Sequence, residues 1–322
     1  MALRRIGVVT AGGDAPGMNA AIRAIVRSAA YNGLEVIGIE RGYAGLLEGR
    51  YRILDRRSVS GIINLGGTIL RTIRCEEIKT DEGIERASEF LKSIKIDGLI
   101  TIGGDGTFRG ASRLYRASGV PMVGVPATID NDVAGTDTTI GFDTAVNTAL
   151  EAIDRIRDTA TSHERIFIVE VMGRRRGFLA LEVGLAGGAE IILIPEIKWD
   201  LEKICDRIRR DREEGKVSEI IVMAEGAGDS RQITDYIARE TGQSVRLVVL
   251  GHIQRGGPPT ARSRALACEF GYKAVELLLT GESKRMVGVR GNNITSVDLD
   301  YSWMVEKEID LSRYKLAEIL SL

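Results

Sequence analysis

The chain lacks an excess of charge of either sign. Its 322 residues hold 44 Lys and Arg against 45 Asp and Glu, a formal charge of −1. That balance excludes the basic surplus of a dedicated nucleic-acid binder and leaves no long acidic tail. No uninterrupted apolar run reaches the about 18 residues of a membrane span, so no transmembrane helix is expected. The opening stretch MALRRIGVVTAGGDAPG carries two arginines, but a glycine turn cuts its apolar run short and no small-residue cleavage site follows. A secretory signal is therefore not expected. Cysteine is scarce: Cys75, Cys205 and Cys268 are odd in number and far apart. They make neither a disulfide framework nor a metal-type pair, which fits a reducing cytoplasm. No Pro- or Ser-rich linker and no short repeat divides the chain.

Glycine is abundant instead. The 38 glycines make about 12% of the chain against a usual share of about 7%, and they cluster beside apolar runs. Those runs are RIGVVT (5–10), LEVIGIE (34–40), GLITIG (98–103), MVGVP (122–126), RIFIVEVM (165–172), EIILIPE (190–196), EIIVMAEG (219–226) and VRLVVLGHI (245–253). Near-continuous apolar runs of this length suit strands buried on both faces, as in a parallel sheet. Amphipathic stretches lie between them. DEGIERASEFLKSIK (81–95) sets Ile84, Ala87, Phe90, Leu91 and Ile94 at helical spacing. DLEKICDRIRRDREEG (200–215) opens on Asp200 as a cap and ends at Gly215, and 144–163 is also helical. The alternation predicts an α/β fold. Periodicity alone leaves open a single barrel or two doubly wound sheets. The stretch 41–97 is awkward for a barrel, with two helical patterns and one weak strand candidate, RYRILD (50–55).

Three glycine-bearing turns follow strands. TAGGDAPGMNAAIR (10–23) runs from strand through Gly12, Gly13 and Gly17 into a helix near Met18. Free N–H donors at such a helix start suit phosphate, although no Gly-Lys-Ser/Thr follows. TIGGDGTFRG (101–110) brackets Asp105 between Gly103, Gly104 and Gly106. An acid in a phosphate cradle makes electrostatic sense with a divalent cation between them. PATIDNDVAGTD (126–137) packs Asp130, Asp132 and Asp137 beyond the strand MVGVP, at the strand end where parallel sheets bind ligands. A carboxylate there can take the proton of an attacking hydroxyl. Two further strand ends are basic. VEVMGRRRGFLA (169–180) holds Met172, Gly173 and Arg174, and VRLVVLGHIQRGGPP (245–259) holds His252, Gln254 and Arg255. Guanidinium forks match phosphate oxygens. Arg175 and Arg176 read better as a solvated helix start.

In this order and spacing, GGDAPGMNAAIR, GGDGT, TIDND, MGRRRG and GHIQRGG resemble bacterial 6-phosphofructokinases over about residues 4–300. The resemblance implies two Rossmann-like three-layer α/β/α domains with mostly parallel sheets. A large ATP domain would span 1–140 plus 255–305 and a smaller fructose 6-phosphate domain 141–254, with a C-terminal helix over 306–322 and the active site in the cleft. The implied reaction moves the ATP γ-phosphoryl group to the 1-hydroxyl of fructose 6-phosphate, with Mg²⁺ held by Asp105. Asp130 would be the base, Thr128 and Asp132 its helpers, and Arg174 the stabiliser of transition-state charge. ATP would meet Gly13, Tyr43, Arg74, Cys75 and the turn Gly103, Gly104, Asp105, Gly106 and Thr107. The sugar phosphate would meet Thr128, Ile129, Asp130, Met172, Gly173, Arg174, Glu225, His252 and Arg255. Arg165 and Arg246 match arginines that reach in from a neighbouring subunit, which implies a homotetramer with shared sites in the cytoplasm.

Two departures bear on donor and control. Family members using ATP resemble GGDG, and those using pyrophosphate resemble GGDD with a lysine before TIDND. Here Gly106 and Ala127 stand at those places. A pyrophosphate-dependent enzyme is the alternative; a non-catalytic nucleotide or sugar-phosphate sensor and an NAD kinase fit less well, since Asp130 is present and TIDND has no role in the latter. The family's effector site for ADP and phosphoenolpyruvate resembles Arg23, Arg27, Arg56, Arg157, Glu190 and Lys216. Two further basic positions are Glu214 and Val217 here, so weakened or altered effector control is expected.

Overall fold

Each apolar run named above forms a strand, and so does the weak candidate RYRILD. The computed structural model describes residues 3–321; residues 1, 2 and 322, at the outer ends of the expected spans 1–140 and 306–322, lie outside the described residues. In chain order the elements begin with β1 (Arg5–Thr10), α1 (Met18–Tyr31), β2 (Glu35–Ile39), α2 (Tyr43–Glu48) and β3 (Tyr51–Leu54). Next come α3 (Asp81–Ser93), β4 (Gly98–Gly103), α4 (Asp105–Ser118), β5 (Met122–Thr128), β6 (Ile140–Gly141) and α5 (Phe142–Ser162). Then follow β7 (Ile166–Val171), α6 (Phe178–Ala186), β8 (Ile191–Leu193), α7 (Leu201–Glu213), β9 (Glu219–Ala224) and α8 (Ser230–Thr241). The last are β10 (Val245–Val249), α9 (Ala261–Leu279), β11 (Arg285–Arg290), β12 (Asn293–Asp298), α10 (Tyr301–Met304) and α11 (Leu311–Leu320).

These elements make two sheets, not one barrel. The chain divides into a first unit, Met1–Thr144 with Arg255–Lys307, and a second, Ala145–Gln254 with Glu308–Leu322. The segment 306–322, expected to stand as a helix by itself, thus divides after Lys307, and its helix α11 belongs to the second unit.

The first unit holds an eight-stranded sheet in the order β12-β11-β5-β4-β1-β2-β3, with β6 pairing β5. The central pairs are parallel, while β3 and β12 close the edges antiparallel. Side chains alternate across a strand, so β4 serves two layers. Gly98 lies against Leu278 of α9, whereas Leu99 joins Phe108, Leu114, Ile84 and Leu91 of α3 and α4. The helix pair α1 and α9 packs closely enough that a Cβ on Gly271 would lie 2.7 Å from Ala24. An exposed Thr80 cap, whose hydroxyl accepts the Gly83 amide, starts α3 one residue before its acidic first turn.

The second unit holds a parallel sheet in the order β10-β7-β9-β8. Ile168, Leu193, Ile221 and Met223 pack against Ile204 and Ile208 of α7 and Ile233 and Ile237 of α8. On the other face Ile192 meets α6 at Gly184, where any Cβ would clash at 2.5 Å. Asp200 caps α7 by accepting the Glu202 amide, as its position before the helical pattern predicts.

Candidate active site

In the first sheet β5, β4 and β1 are parallel neighbours, so the turns that follow them leave one edge side by side. Three of the expected site segments are these turns. The Ala11 amide donates to Ile102 O, and the Thr107 hydroxyl donates to Ala11 O at 2.9 Å. Gly103 lies directly against this seam: a Cβ there would sit 2.4 Å from Ala11 O and 2.3 Å from Thr107 Oγ1. Only glycine permits the two phosphate-type turns to touch in this way. A Cβ on Gly104 would lie 3.9 Å from Thr128 Cβ, and Gly106 faces open space.

Asp105 is the first residue of α4, where the helix dipole favours an anion. Its carboxylate is partly solvent-facing, and the Arg109 guanidinium stands 3.8 Å away. Mg²⁺ binds through one or two carboxylates, several waters and substrate phosphates. A single open carboxylate beside glycine turns fits that pattern, and no group of three candidate metal ligands occurs among the described residues. Tyr43, expected against ATP, is buried, and its hydroxyl donates to Thr107 O at 2.5 Å. Burial pushes its phenol well above the ordinary range. Its contact to the turn therefore runs from beneath α4. Arg74 is exposed and Cys75 half-buried. Their segment is tied to the first glycine turn by the Thr72 hydroxyl, which donates to Gly12 O at 2.8 Å. Arg255, expected with the sugar phosphate, stands over Gly13: a Cβ there would lie 2.7 Å from its Nη1. Its Nε is buried without an acceptor among the described residues.

Beyond β5 the chain turns sharply. Asp130 and Ile129 are each 1% exposed. The Asp130 amide donates to Thr128 Oγ1 at 3.2 Å, and Asn131 takes the left-handed conformation at φ 52°. Thr139 donates to Thr128 O at 2.6 Å, closing the turn onto β6. Asn131 donates to Asp137 O, and the Asp137 carboxylate accepts the Gly291 amide of the β11–β12 turn at 2.7 Å. Lys307, far away in sequence, also bonds this turn.

In the second sheet β10, β7 and β9 likewise end on one edge. Glu225 follows β9, and its Oε1 accepts the amides of Gly173 at 3.2 Å and Arg174 at 2.6 Å. Gln254 is fully buried, and its Oε1 accepts the Met172 amide at 2.9 Å. Arg174 stands at φ 54°, a left-handed non-glycine residue, with Gly173 before it at φ 139°. His252 is exposed in the turn that follows β10. Arg176 packs over Phe178 at 5.6 Å and pairs with Glu196 at 3.5 Å, an ordinary helix-start role.

The remaining expected residues lie elsewhere. Arg165 precedes β7 and Arg246 sits near the start of β10, beside Phe167, so both are at the opposite edge from Met172. At about 3.3 Å per residue, β7 separates them from that turn by roughly 20 Å. The same far edge holds Glu190, whose Oε1 is 3.7 Å from Arg157 and 3.8 Å from Lys216. Lys216 also stands 3.8 Å from Asp211. Beside them, Glu219 is 1% exposed with both carboxylate oxygens lacking a hydrogen-bond partner among the described residues. Burial, with Asp211 and Glu190 nearby, pushes it up to about 7 against the pull of Lys216 and Arg212. Arg23 and Arg27 lie on α1 and Arg56 follows β3, all in the first unit. Sequence reasoning missed Thr72, Lys307 and Glu219; only Glu219, an acid opening an apolar run, leaves a signal in the sequence.

The profile of the phosphofructokinase family matches residues 5–278. ATP-dependent 6-phosphofructokinase of Halothermothrix orenii is 54% identical over 332 residues, covering 99% of this chain and 100% of that protein. The protein of the same name from Clostridium botulinum is 52% identical over 319 residues, with 99% and 100% covered. Among solved structures, phosphofructokinase from Pichia pastoris in the T-state aligns with a TM-score of 0.88 at 33% identity, over 99% of this chain and 36% of that one. A pyrophosphate-dependent phosphofructokinase from Marinobacter aquaeolei shares the fold, with a TM-score of 0.85 at 24% identity over 96% of this chain and 86% of that one.

Proposed function

The chain belongs to the phosphofructokinase family, and on that premise we propose that it moves the γ-phosphoryl group of ATP to the 1-hydroxyl of fructose 6-phosphate. The products are fructose 1,6-bisphosphate and ADP, and the protein is a kinase of glycolysis. One observation supports the chemistry most: Asp130 is a buried carboxylate at a parallel strand end, beside two glycine turns fastened to each other through Thr107 and Ala11.

Each group has a part. The turns at Gly12–Gly13 and Gly103–Gly106 cradle the triphosphate through backbone amides. Asp105 would hold Mg²⁺, which would neutralise the polyphosphate. Asp130 accepts the proton of the sugar hydroxyl as it attacks phosphorus, with Thr128 and Asp132 orienting it. In the second unit, Glu225 and Gln254 fix the Met172–Arg174 backbone. Met172, Gly173 and His252 take the sugar phosphate, and Arg174 offers its guanidinium to charge developing on the transferring group. Arg165 and Arg246 stand at the far ends of β7 and β10, so serving a neighbouring copy's site is their role in a cytoplasmic homotetramer.

ATP is the donor in this reading because Gly106 faces open space, where a carboxylate would repel the triphosphate. Control by ADP or phosphoenolpyruvate is weakened, since Lys216 is already shared between Glu190 and Asp211 while positions 214 and 217 lack cations. The test is the rate of fructose 1,6-bisphosphate formation with ATP and with pyrophosphate, each with and without the two effectors. Turnover with ATP, at least tenfold faster than with pyrophosphate, is expected. Turnover with pyrophosphate alone would overturn the donor assignment.

A further inference from the structure

The turn from 126 to 141 contains Asp130, Asp132 and Asp137 and no lysine or arginine. A cation nonetheless reaches it from the last residue of the first unit. Lys307 Nζ donates to Asn131 Oδ1 at 2.9 Å and to Asp137 O at 3.1 Å. Asn131 itself donates to the same Asp137 carbonyl at 3.2 Å. The ammonium, the Asn131 amide and the Asp137 carbonyl thus close a triangle across the mouth of the turn. Asn131 is 5% exposed, left-handed at φ 52°, and bonded through its peptide to Asp130. Its side chain has little freedom, so what fastens it also sets the Asp130 backbone.

From this geometry we infer that Lys307 is a positioning residue for the transfer reaction, holding the Asp130–Asp132 turn in its working conformation through Asn131 and Asp137. The inference rests on the function proposed above and names a residue that functions through others. A misplacement of about 1 Å at a reacting group can cost about a hundredfold in rate, so a tether of this kind acts on turnover more than on binding. Its charge has a limit. Burial pulls Lys307 down to about 8, although Asp137 and Asp132 hold it up. Those two carboxylates face it from the turn it fastens. The ammonium form is present below about pH 8 and is lost above it, so the tether weakens as pH rises through that value. Arginine keeps its charge throughout.

The experiment uses the full chain, with initial rates of fructose 1,6-bisphosphate formation from pH 6 to 10 and hydrogen exchange followed by mass spectrometry. K307M is expected to lower kcat about 10- to 100-fold at pH 7 with both KM values within about threefold. K307R is expected to keep kcat within about threefold and to move the alkaline fall of kcat upward by about one pH unit or more. In K307M, amide exchange over 128–141 should quicken about tenfold while that of β10 stays unchanged. A K307M kcat within about twofold of the parent, or an alkaline fall in K307R at the parent position, overturns the inference. If K307M does not fold, the K307R profile decides alone. Exchange separates the two readings: a parent enzyme inactive on fructose 6-phosphate, with the turn still loosened by K307M, defeats the proposed function and leaves the tether standing.

Discussion

Two strand-end turns of this molecule solve one problem in opposite ways. After β5, Asn131 stands at φ 52°; after β7, Arg174 stands at φ 54°. Each non-glycine residue in this region costs about 1–2 kcal/mol, so each must be held by something. Asn131 is buried and held by its own side chain, through Asp137, Thr139 and Lys307. Arg174 is exposed, and its backbone amide is held by Glu225. The difference follows the chemistry assigned to each turn. A base must sit within hydrogen-bond reach of one proton, which requires a rigid carboxylate. A guanidinium with five donors works over a wider range of positions, so fixing its backbone is enough.

The largest effect expected is at the rigid turn. Asp130→Asn keeps the shape and removes only the proton acceptor. Turnover should fall by about 10²–10⁴ with both KM values little changed. Steady-state kinetics at saturating ATP check this, and a variant within tenfold of the parent removes Asp130 from the base role.

A third carboxylate shows what burial costs without a network. Glu219 is as buried as Asp130, and neither of its oxygens has a hydrogen-bond partner among the described residues. Its raised value of about 7, against an ordinary 4.5, means the folded state holds a proton that the unfolded state has released. Stability is therefore highest below about pH 4.5 for this group and falls as pH rises to about 7, by on the order of 2–3 kcal/mol. Glu219→Gln should abolish that dependence. Its melting temperature should exceed the parent's by several degrees more at pH 8 than at pH 5. Equal differences at both pH values would place the Glu219 proton elsewhere.

The backbone-held turn should respond to its acceptor. Glu225→Ala strands two amides, at a cost of about 1–3 kcal/mol. The KM for fructose 6-phosphate should rise about tenfold or more, while the KM for ATP stays within about twofold. Glu225→Gln, which keeps one acceptor oxygen, should recover most of the loss. A KM for the sugar phosphate that ignores both changes would mean that the Arg174 turn does not need Glu225.

How much of this was legible follows from sequence distance. Seven of the eight apolar runs became strands buried on both faces, where hydrophobicity alone identifies them, and the eighth, β10, is a half-exposed edge strand. The hairpin of β11 and β12 was not anticipated, since NITSVD is polar at four of its six positions and half-exposed along an edge. Asp130, placed beyond the strand MVGVP by its motif, lies just past the end of β5, and a parallel sheet puts such successive turns on one edge. Lys307 was invisible. Its partner Asn131 lies 176 residues away, and a lone lysine in VEKEID carries no pattern. Tyr43 shows the converse: its place beside the glycine turn is right, but the hydroxyl is spent on Thr107 O inside the protein. Sequence names the residues near a turn more readily than it tells which side of the turn they occupy.

The smallest effect gives the sharpest comparison of the two turns. Glycine removes the left-handed penalty at either position, so only the loss of the side chain differs. Arg174→Gly should change thermal stability by no more than about 1 kcal/mol, because the Glu225 bond to the backbone survives. Its turnover should fall as the guanidinium is lost. Asn131→Gly gains the same relief but forfeits the bonds to Asp137 O and Lys307, and leaves that ammonium in a half-buried site with one acceptor fewer. It should be less stable than the parent by about 1 kcal/mol or more. A clearly larger drop of the denaturant midpoint in Asn131→Gly, read with unchanged slopes, would establish that its turn leans on the side chain and the other on the backbone. If both variants lost equal stability, the two turns would share one means of support, and a rigid base could no longer explain why Asn131 is buried.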